Sequence, residues 1–161
     1  MPFAIGDKAY VPNHGVGIVK DIVSVDMGGT PYKMYQIMIL ENGLKYSVPV
    51  DQIGANGIRE VISTTAVEKV FEVLRDKDTP ADKQTWNRRY REYTSKIKTG
   101  DPLEVAAVLR ELARLKAEKT LSFGERKMYD QAHSLIVQEV AVARDVDEQV
   151  VKVEIEAIFA A

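Results

Sequence analysis

Cysteine is absent from the sequence, which excludes disulfides, thiolate metal sites and cysteine nucleophiles together. Histidine is scarce: only His14 and His133 occur, and neither has a second histidine within metal-ligand spacing. Each is read as a packing or surface residue. No run of eighteen apolar residues exists, so a transmembrane helix is not expected. The opening Met1-Pro2-Phe3-Ala4-Ile5-Gly6-Asp7 lacks the basic region and long apolar stretch of a secretory signal. The expected setting is the cytoplasm. No serine stands in a Gly-x-Ser-x-Gly elbow. Gly15-Val16-Gly17 lacks the Gly-Lys-Ser/Thr and the opening helix of a phosphate loop and reads as a β-turn. Asp7, Asp101 and Asp147 stand where turns and caps use carboxylates. Without a catalytic constellation, the chain is not expected to be an enzyme, and no metal or cofactor is called for.

What is present is an ordinary load of charge placed unevenly. The net charge is −2 over 161 residues. Residues 1–62 carry five basic and six acidic side chains, and residues 63–82 three and five. Residues 83–127 carry twelve and six, whereas 128–161 carry two and seven. A basic centre followed by an acidic end matters more than the total, because local potential decides what docks.

The two halves differ in their hydrophobic pattern. Lys8 to Val11, Ile18 to Val25, Tyr32 to Leu40, Tyr46 to Val50 and Ile58 to Ile62 read as strands. Gly28-Gly29 and Asn42-Gly43 supply hairpin turns, since these residues tolerate positive φ. From residue 63 the spacing becomes helical. Thr65-Ala66-Val67-Glu68 matches a capping box, with Val67, Val70, Phe71 and Leu74 following at helical intervals. Thr79-Pro80-Ala81-Asp82 ends this helix, and a second is expected from about Thr85 to Lys98. Asp101-Pro102-Leu103-Glu104, Ser122-Phe123-Gly124-Glu125 and Asp147 open three more. The fold class is therefore α+β in two domains. Residues 1–62 form a small SH3-like or Tudor-like β-barrel, and residues 63–161 a compact bundle of about five α-helices.

The most unusual segment runs from Lys83 to Lys98, with six basic residues, one acidic residue, the only tryptophan and two tyrosines. Cations that meet phosphates, interleaved with rings that stack on or wedge between bases, suit nucleic acid. Trp86, Tyr90, Tyr93 and Ile97 also fall on one helical stripe, the spacing of a core-facing surface. The basic residues avoid that stripe: Arg88, Arg91 and Lys98 lie on one flank, Arg89 and Lys96 on the other. Periodicity alone leaves open whether Trp86 is a core residue or an exposed one.

Several motifs in order resemble the CarD/CdnL family of bacterial RNA polymerase-binding transcription regulators. They are Gly6-Asp7-Lys8, Pro12-Asn13-His14-Gly15-Val16-Gly17, Leu40-Glu41-Asn42-Gly43 with Val48-Pro49, Trp86-Asn87-Arg88-Arg89-Tyr90, Ile97-Lys98-Thr99-Gly100, and Leu121-Ser122-Phe123-Gly124-Glu125-Arg126-Lys127-Met128. The likeness covers nearly the whole chain and is closest to the CdnL branch, as no DNA-binding tail of AT-hook type is seen. The resemblance implies a Tudor-like N-terminal domain that binds the RNA polymerase β subunit, with contacts at Ile37, Ser47 and Pro49. At the position of Ser47, relatives more often hold arginine or methionine. It also implies a helical domain that contacts promoter DNA at the upstream edge of the transcription bubble. There Trp86 would wedge into the minor groove, and Arg88, Arg89 and Arg91 would hold phosphates, stabilising the open complex. The competing reading is a general nucleic-acid-binding module, barrel plus basic helix, that acts without polymerase. A sequence pI near 5.8 counts against it.

Overall fold

A computed structural model describes residues 2–81 and 83–161. Met1 of the N-terminal segment and Asp82 of the expected helix-ending stretch lie outside the described residues. The chain divides into two compact units, one ending at Val61 and the other beginning at Ile62.

The first unit is an antiparallel sheet of β1 (Lys8–Val11), β2 (Gly15–Met27), β3 (Thr30–Ile39), β4 (Lys45–Pro49) and β5 (Arg59–Glu60), ordered β4-β3-β2-β1-β5. Five strands are present as expected, but their hydrogen-bonded ladder is open, and β4 and β5 are its edges. The centre is the long β2–β3 hairpin. Its two-residue loop, Gly28-Gly29, has φ of 65° and 88°, the positive values that a tight turn between twisted strands demands. The second strand is longer than expected because Gly15 and Gly17, read as turn residues, are paired in the ladder: Gly15 opposite Val11, and Gly17 opposite Ala9 and Ile39. The turn proper falls earlier, at Asn13, with φ 69°.

Period-two alternation sends Tyr35, Ile37 and Ile39 of β3 inward to join Phe3, Ala9, Val11, Val19, Val48, Ile53 and Ile58. The Tyr35 hydroxyl accepts from the Phe3 N–H and donates to the Phe3 carbonyl, both at 3.1 Å. That pairing lets a polar group sit in the core at little cost. Gly17 is required by close approach, since a Cβ there would stand 2.5 Å from Cγ2 of Ile37.

The second unit holds α1 (Thr64–Arg75), α2 (Trp86–Lys98), α3 (Pro102–Glu118), α4 (Phe123–Arg144) and α5 (Glu148–Ala160). The expected capping box at Thr65–Glu68 does not open α1. Ser63, two residues earlier, is the N-cap, and its hydroxyl accepts from the Ala66 N–H at 3.1 Å. Glu68 instead pairs with Arg144 of α4, whose guanidinium also meets Glu154 of α5 and lies over the Phe71 ring. Helix α1 ends at Arg75, ahead of the proline, and Asp76 takes over as its C-cap. The other starts agree with expectation. Asp101 caps α3 with Pro102 at N1, Ser122 and Glu125 form a complete capping box on α4, and Asp147 caps α5.

Helix α3 lies at the centre of this unit, packed by α1, α2 and α4. Its Leu109 and Leu112 are fully buried, each contributing about 1.5–3 kcal/mol. From α4, Met128, Ala132, Leu135, Ile136 and Val140 complete the core. The loop after α1 is tied to α3 by arginines. Arg110 reaches the Val73 carbonyl and the Asp76 carboxylate, and Arg114 takes the Asp76 and Thr79 carbonyls. Hydrogen bonds from the Thr79 hydroxyl and the Asp78 and Thr79 N–H groups, with help from Arg110, lower the Asp76 carboxyl pKa to about 2.

Candidate nucleic-acid and partner interfaces

The stripe on α2 divides along its length. Tyr93 and Ile97 are buried against the rest of the second unit, whereas Tyr90 is half-exposed and Trp86, the first residue of the helix, is half-buried. The start of a helix is its least covered part, and here the neighbouring element is the start of another helix. A Cβ on Gly124 would lie 3.5 Å from the Trp86 indole, an ordinary contact distance, so the first turn of α4 at Gly124 is the seat against which the ring rests. The Tyr90 ring meets the indole edge-on at 5.8 Å between centroids.

The three arginines of this segment are not equivalent. The Arg89 guanidinium lies 5.3 Å from the centroid of the Trp86 ring, donates through Nε to the Gln84 carbonyl at 3.1 Å, and stands 3.6 Å from Glu125. Arg89 is largely covered and fully engaged. Arg88 and Arg91 are exposed, and their side chains have no hydrogen bond or ion pair among the described residues. They stand on the flank that the helical spacing assigns them, free to meet an anion.

Glu125 secures this corner. Its carboxylate, 2% exposed, accepts from the Ser122 N–H at 2.8 Å and is 3.2 Å from the Lys119 ammonium. Burial alone would push its pKa up. The Ser122 backbone and hydroxyl bonds and the Lys119 charge together outweigh that effect, holding the carboxyl below its ordinary value of 4.5. The result is an ionised carboxylate that fixes Arg89, and through Arg89 the indole.

Sequence reasoning took Ser122-Phe123-Gly124-Glu125 only as a helix start. It missed that Phe123 is 86% exposed beside the seat of Trp86. No sequence signal marked it, because a capping box accounts for its two end residues, Ser122 and Glu125, and leaves the direction of the side chain between them open.

In the first unit, the positions implied for polymerase contact separate. Ile37 is a correction: its side chain is fully buried in the core, on an interior strand between Val19 and Tyr46, and is closed to a partner in this fold. Ser47 is exposed and Pro49 partly so, both on the outer face of the edge strand β4. Opposite them on β3 stand Gln36 and Met34, with Met38 opposite Lys45. These partly exposed side chains, alternating with the buried Tyr35, Ile37 and Ile39, make a continuous outer surface with Ser47 and Pro49. The alternation was visible in the sequence, though which phase faces outward was not.

Each histidine meets an aromatic ring. His14 packs on the Tyr46 ring at 5.7 Å, and His133 stacks on Tyr129 at 5.8 Å. Burial and the nearby Lys152 lower the His133 pKa. Among the described residues no cluster of three metal-ligating side chains occurs, and no helix is long and apolar enough to cross a membrane.

Comparison with known proteins follows the same division of the chain. The family model of the CarD-like/TRCF RID domain matches residues 3–62, and that of the CarD C-terminal domain matches residues 69–156. The putative transcription factor YdeB of Bacillus subtilis (strain 168) is 31% identical over 151 residues, covering 93% of this chain and 97% of its own length. Among solved structures, CdnLNt from Myxococcus xanthus is 40% identical, covering 39% of this chain and 89% of its own, with a TM-score of 0.33. Two domain models laid end to end, and a relative matched over nearly its full length, establish that the chain belongs to the CarD/CdnL family of transcription regulators that interact with RNA polymerase.

Proposed function

We propose that the first unit binds the RNA polymerase β subunit and that the helical unit holds promoter DNA at the upstream edge of the bubble, stabilising the open complex without any chemical step. For the polymerase contact, the edge strand β4 offers backbone groups for strand addition, with Ser47 and Pro49 setting the fit. Ile37 contributes from beneath, by holding β3 against the core. For DNA, Trp86 acts as the wedge, Arg88 and Arg91 meet phosphates, and Arg89 orients the indole.

The observation that carries this reading is the half-buried Trp86, seated on Gly124 and clamped by the Arg89–Glu125 pair beside two unpartnered arginines. A ring held in place before binding loses little freedom on insertion. Its effect is differential: a preference of about 1.4 kcal/mol for melted over closed promoter shifts that equilibrium tenfold. Contact with free DNA is weak, in the range of about 10⁻⁴ to 10⁻⁶ M, and tethering to polymerase raises the effective concentration.

The test is open-complex lifetime on a ribosomal RNA promoter with cognate polymerase, comparing wild type with Trp86→Ala. Wild type lengthens the lifetime and the variant, still folded and still bound to polymerase, does not. No lengthening by wild type, together with salt-sensitive binding to free nucleic acid and no capture of polymerase, would favour the module that acts without polymerase.

A further inference from the structure

Phe123 is out of keeping with its surroundings. It is 86% exposed, while Phe3 and Phe71 are buried to 5% and 3%. A phenyl ring is ordinarily among the most buried side chains, and although one exposed apolar residue alone is commonplace, this one is the chain neighbour of Gly124, which lies against the Trp86 indole. Its exposure serves no local purpose. The hydrogen bonds that start α4 are made by Ser122 and Glu125, and Phe123 only occupies the first helical position between them.

Its neighbours have one chemical character. Arg126 and Lys127 follow at i+3 and i+4, which places them on the same face of α4 as the ring. Both are exposed, and neither side chain has a hydrogen bond or ion pair among the described residues. Glu125 of the same turn points inward and is neutralised by Arg89 and Lys119. Asp130, one turn further on, is the acidic group nearest along this face. Gly124, the residue next to Phe123, is the seat of the Trp86 indole. An exposed ring bracketed by two free cations therefore adjoins the ring assigned to the wedge.

We propose that Phe123 is a second ring contact to DNA, stacking on a base unpaired at the edge of the opened duplex while Arg126 and Lys127 meet the flanking phosphates. This rests on the reading of Trp86 given above and deepens it. Single-strand binders combine cations that follow the backbone with rings that stack on bases, and a phenyl accepts any base because each has a flat π-face. In a closed duplex both faces of a base are already covered. Phe123 thus adds, through an unpaired base, to the preference for melted over paired DNA that the Trp86 wedge provides.

The experiment measures binding of the full-length protein at low salt to end-labelled DNA, followed by anisotropy, using a fork with unpaired bases and a fully paired duplex of the same sequence. Phe123→Ala is expected to lose about tenfold in affinity for the fork and little for the duplex, and Phe123→Trp to recover it. The thermal midpoint should move little, because the ring is almost wholly exposed. Wild-type fork binding by Phe123→Ala, with Trp86→Ala weakened, overturns this inference and leaves the Trp86 reading standing. Equal losses on fork and duplex overturn the assignment to an unpaired base. Loss of polymerase capture with DNA binding intact gives the ring to polymerase and overturns it as well. No binding of wild type to either DNA removes the reading of the helical unit, and this inference with it.

Discussion

Replacing Glu125 separates the two tasks of one buried carboxylate. Glu125→Gln keeps an oxygen for the Ser122 N–H, since glutamine completes a capping box as glutamate does. It deletes the charge that faces Arg89 at 3.6 Å and Lys119 at 3.2 Å. Leaving a buried charge without its partner costs about 3–5 kcal/mol. That figure must be discounted here, because Lys119 is half-exposed, Arg89 keeps its bond to Gln84, and exposed pairs contribute only about 0–1 kcal/mol. The net expectation is about 1–2 kcal/mol, a fall in the melting midpoint on the order of 5–10 °C for a unit of this size. Glu125→Ala removes the cap as well and should cost about 1 kcal/mol more.

The pH dependence fixes the cause. The folded carboxyl titrates below its ordinary 4.5, so its contribution is complete above that value and is lost as pH falls through the lower folded pKa. The stability gap between wild type and Glu125→Gln, read from thermal unfolding of the helical circular dichroism, should be full at neutral pH and close in acid. A gap that does not change with pH, or a glutamine variant as stable as wild type, would refute the account of Glu125 as an ionised clamp.

Gly17→Ala places a methyl carbon 2.5 Å from Cγ2 of Ile37 and 3.1 Å from the Met38 carbonyl, so the sheet must shift. The first unit should lose about 1–3 kcal/mol in urea unfolding, and an unchanged midpoint would count against the close approach. Tyr35→Phe strips the buried Phe3 N–H and carbonyl of their shared partner and should cost about 1–3 kcal/mol in the same unit. Amide exchange at Phe3 should accelerate in that variant, and protection equal to wild type would show that the bond carries no weight.

How far the molecule was legible in its sequence depends on the range of the interactions involved. The starts of α3, α4 and α5 could be read because a cap and its N–H lie two or three residues apart. The start of α1 was misplaced because Ser63, Thr64 and Thr65 all offer a hydroxyl. The apolar spacing of Val67, Val70, Phe71 and Leu74 fits a start at any of them. Gly15 and Gly17 were read by local preference as turn residues, but pairing with β1 and β3 holds them in a strand. Trp86 could not be settled by periodicity, which gives an angle around α2 but not what stands opposite. Its seat is Gly124 and its clamp is Arg89 with Glu125, both depending on a residue more than thirty positions away. Ile37 was carried over by resemblance alone, and its burial is set by the phase of β3 against the rest of the sheet. Phe123 was concealed by its own motif, in which the cap accounts for residues on either side of it.

The seat of Trp86 also makes the protein its own instrument. The chain holds a single tryptophan, so red-edge excitation isolates one indole from the seven tyrosines. That indole sits between a guanidinium and a glycine at the face assigned to DNA. Its emission wavelength reports the polarity of that one site, and quenching by a stacked base reports occupancy without any attached dye. With the protein and a DNA fork alone, insertion of the ring is thereby followed in one unlabelled molecule, free of the tryptophans that polymerase would bring. An emission change on adding the fork, absent with a fully paired duplex, would mark the insertion step.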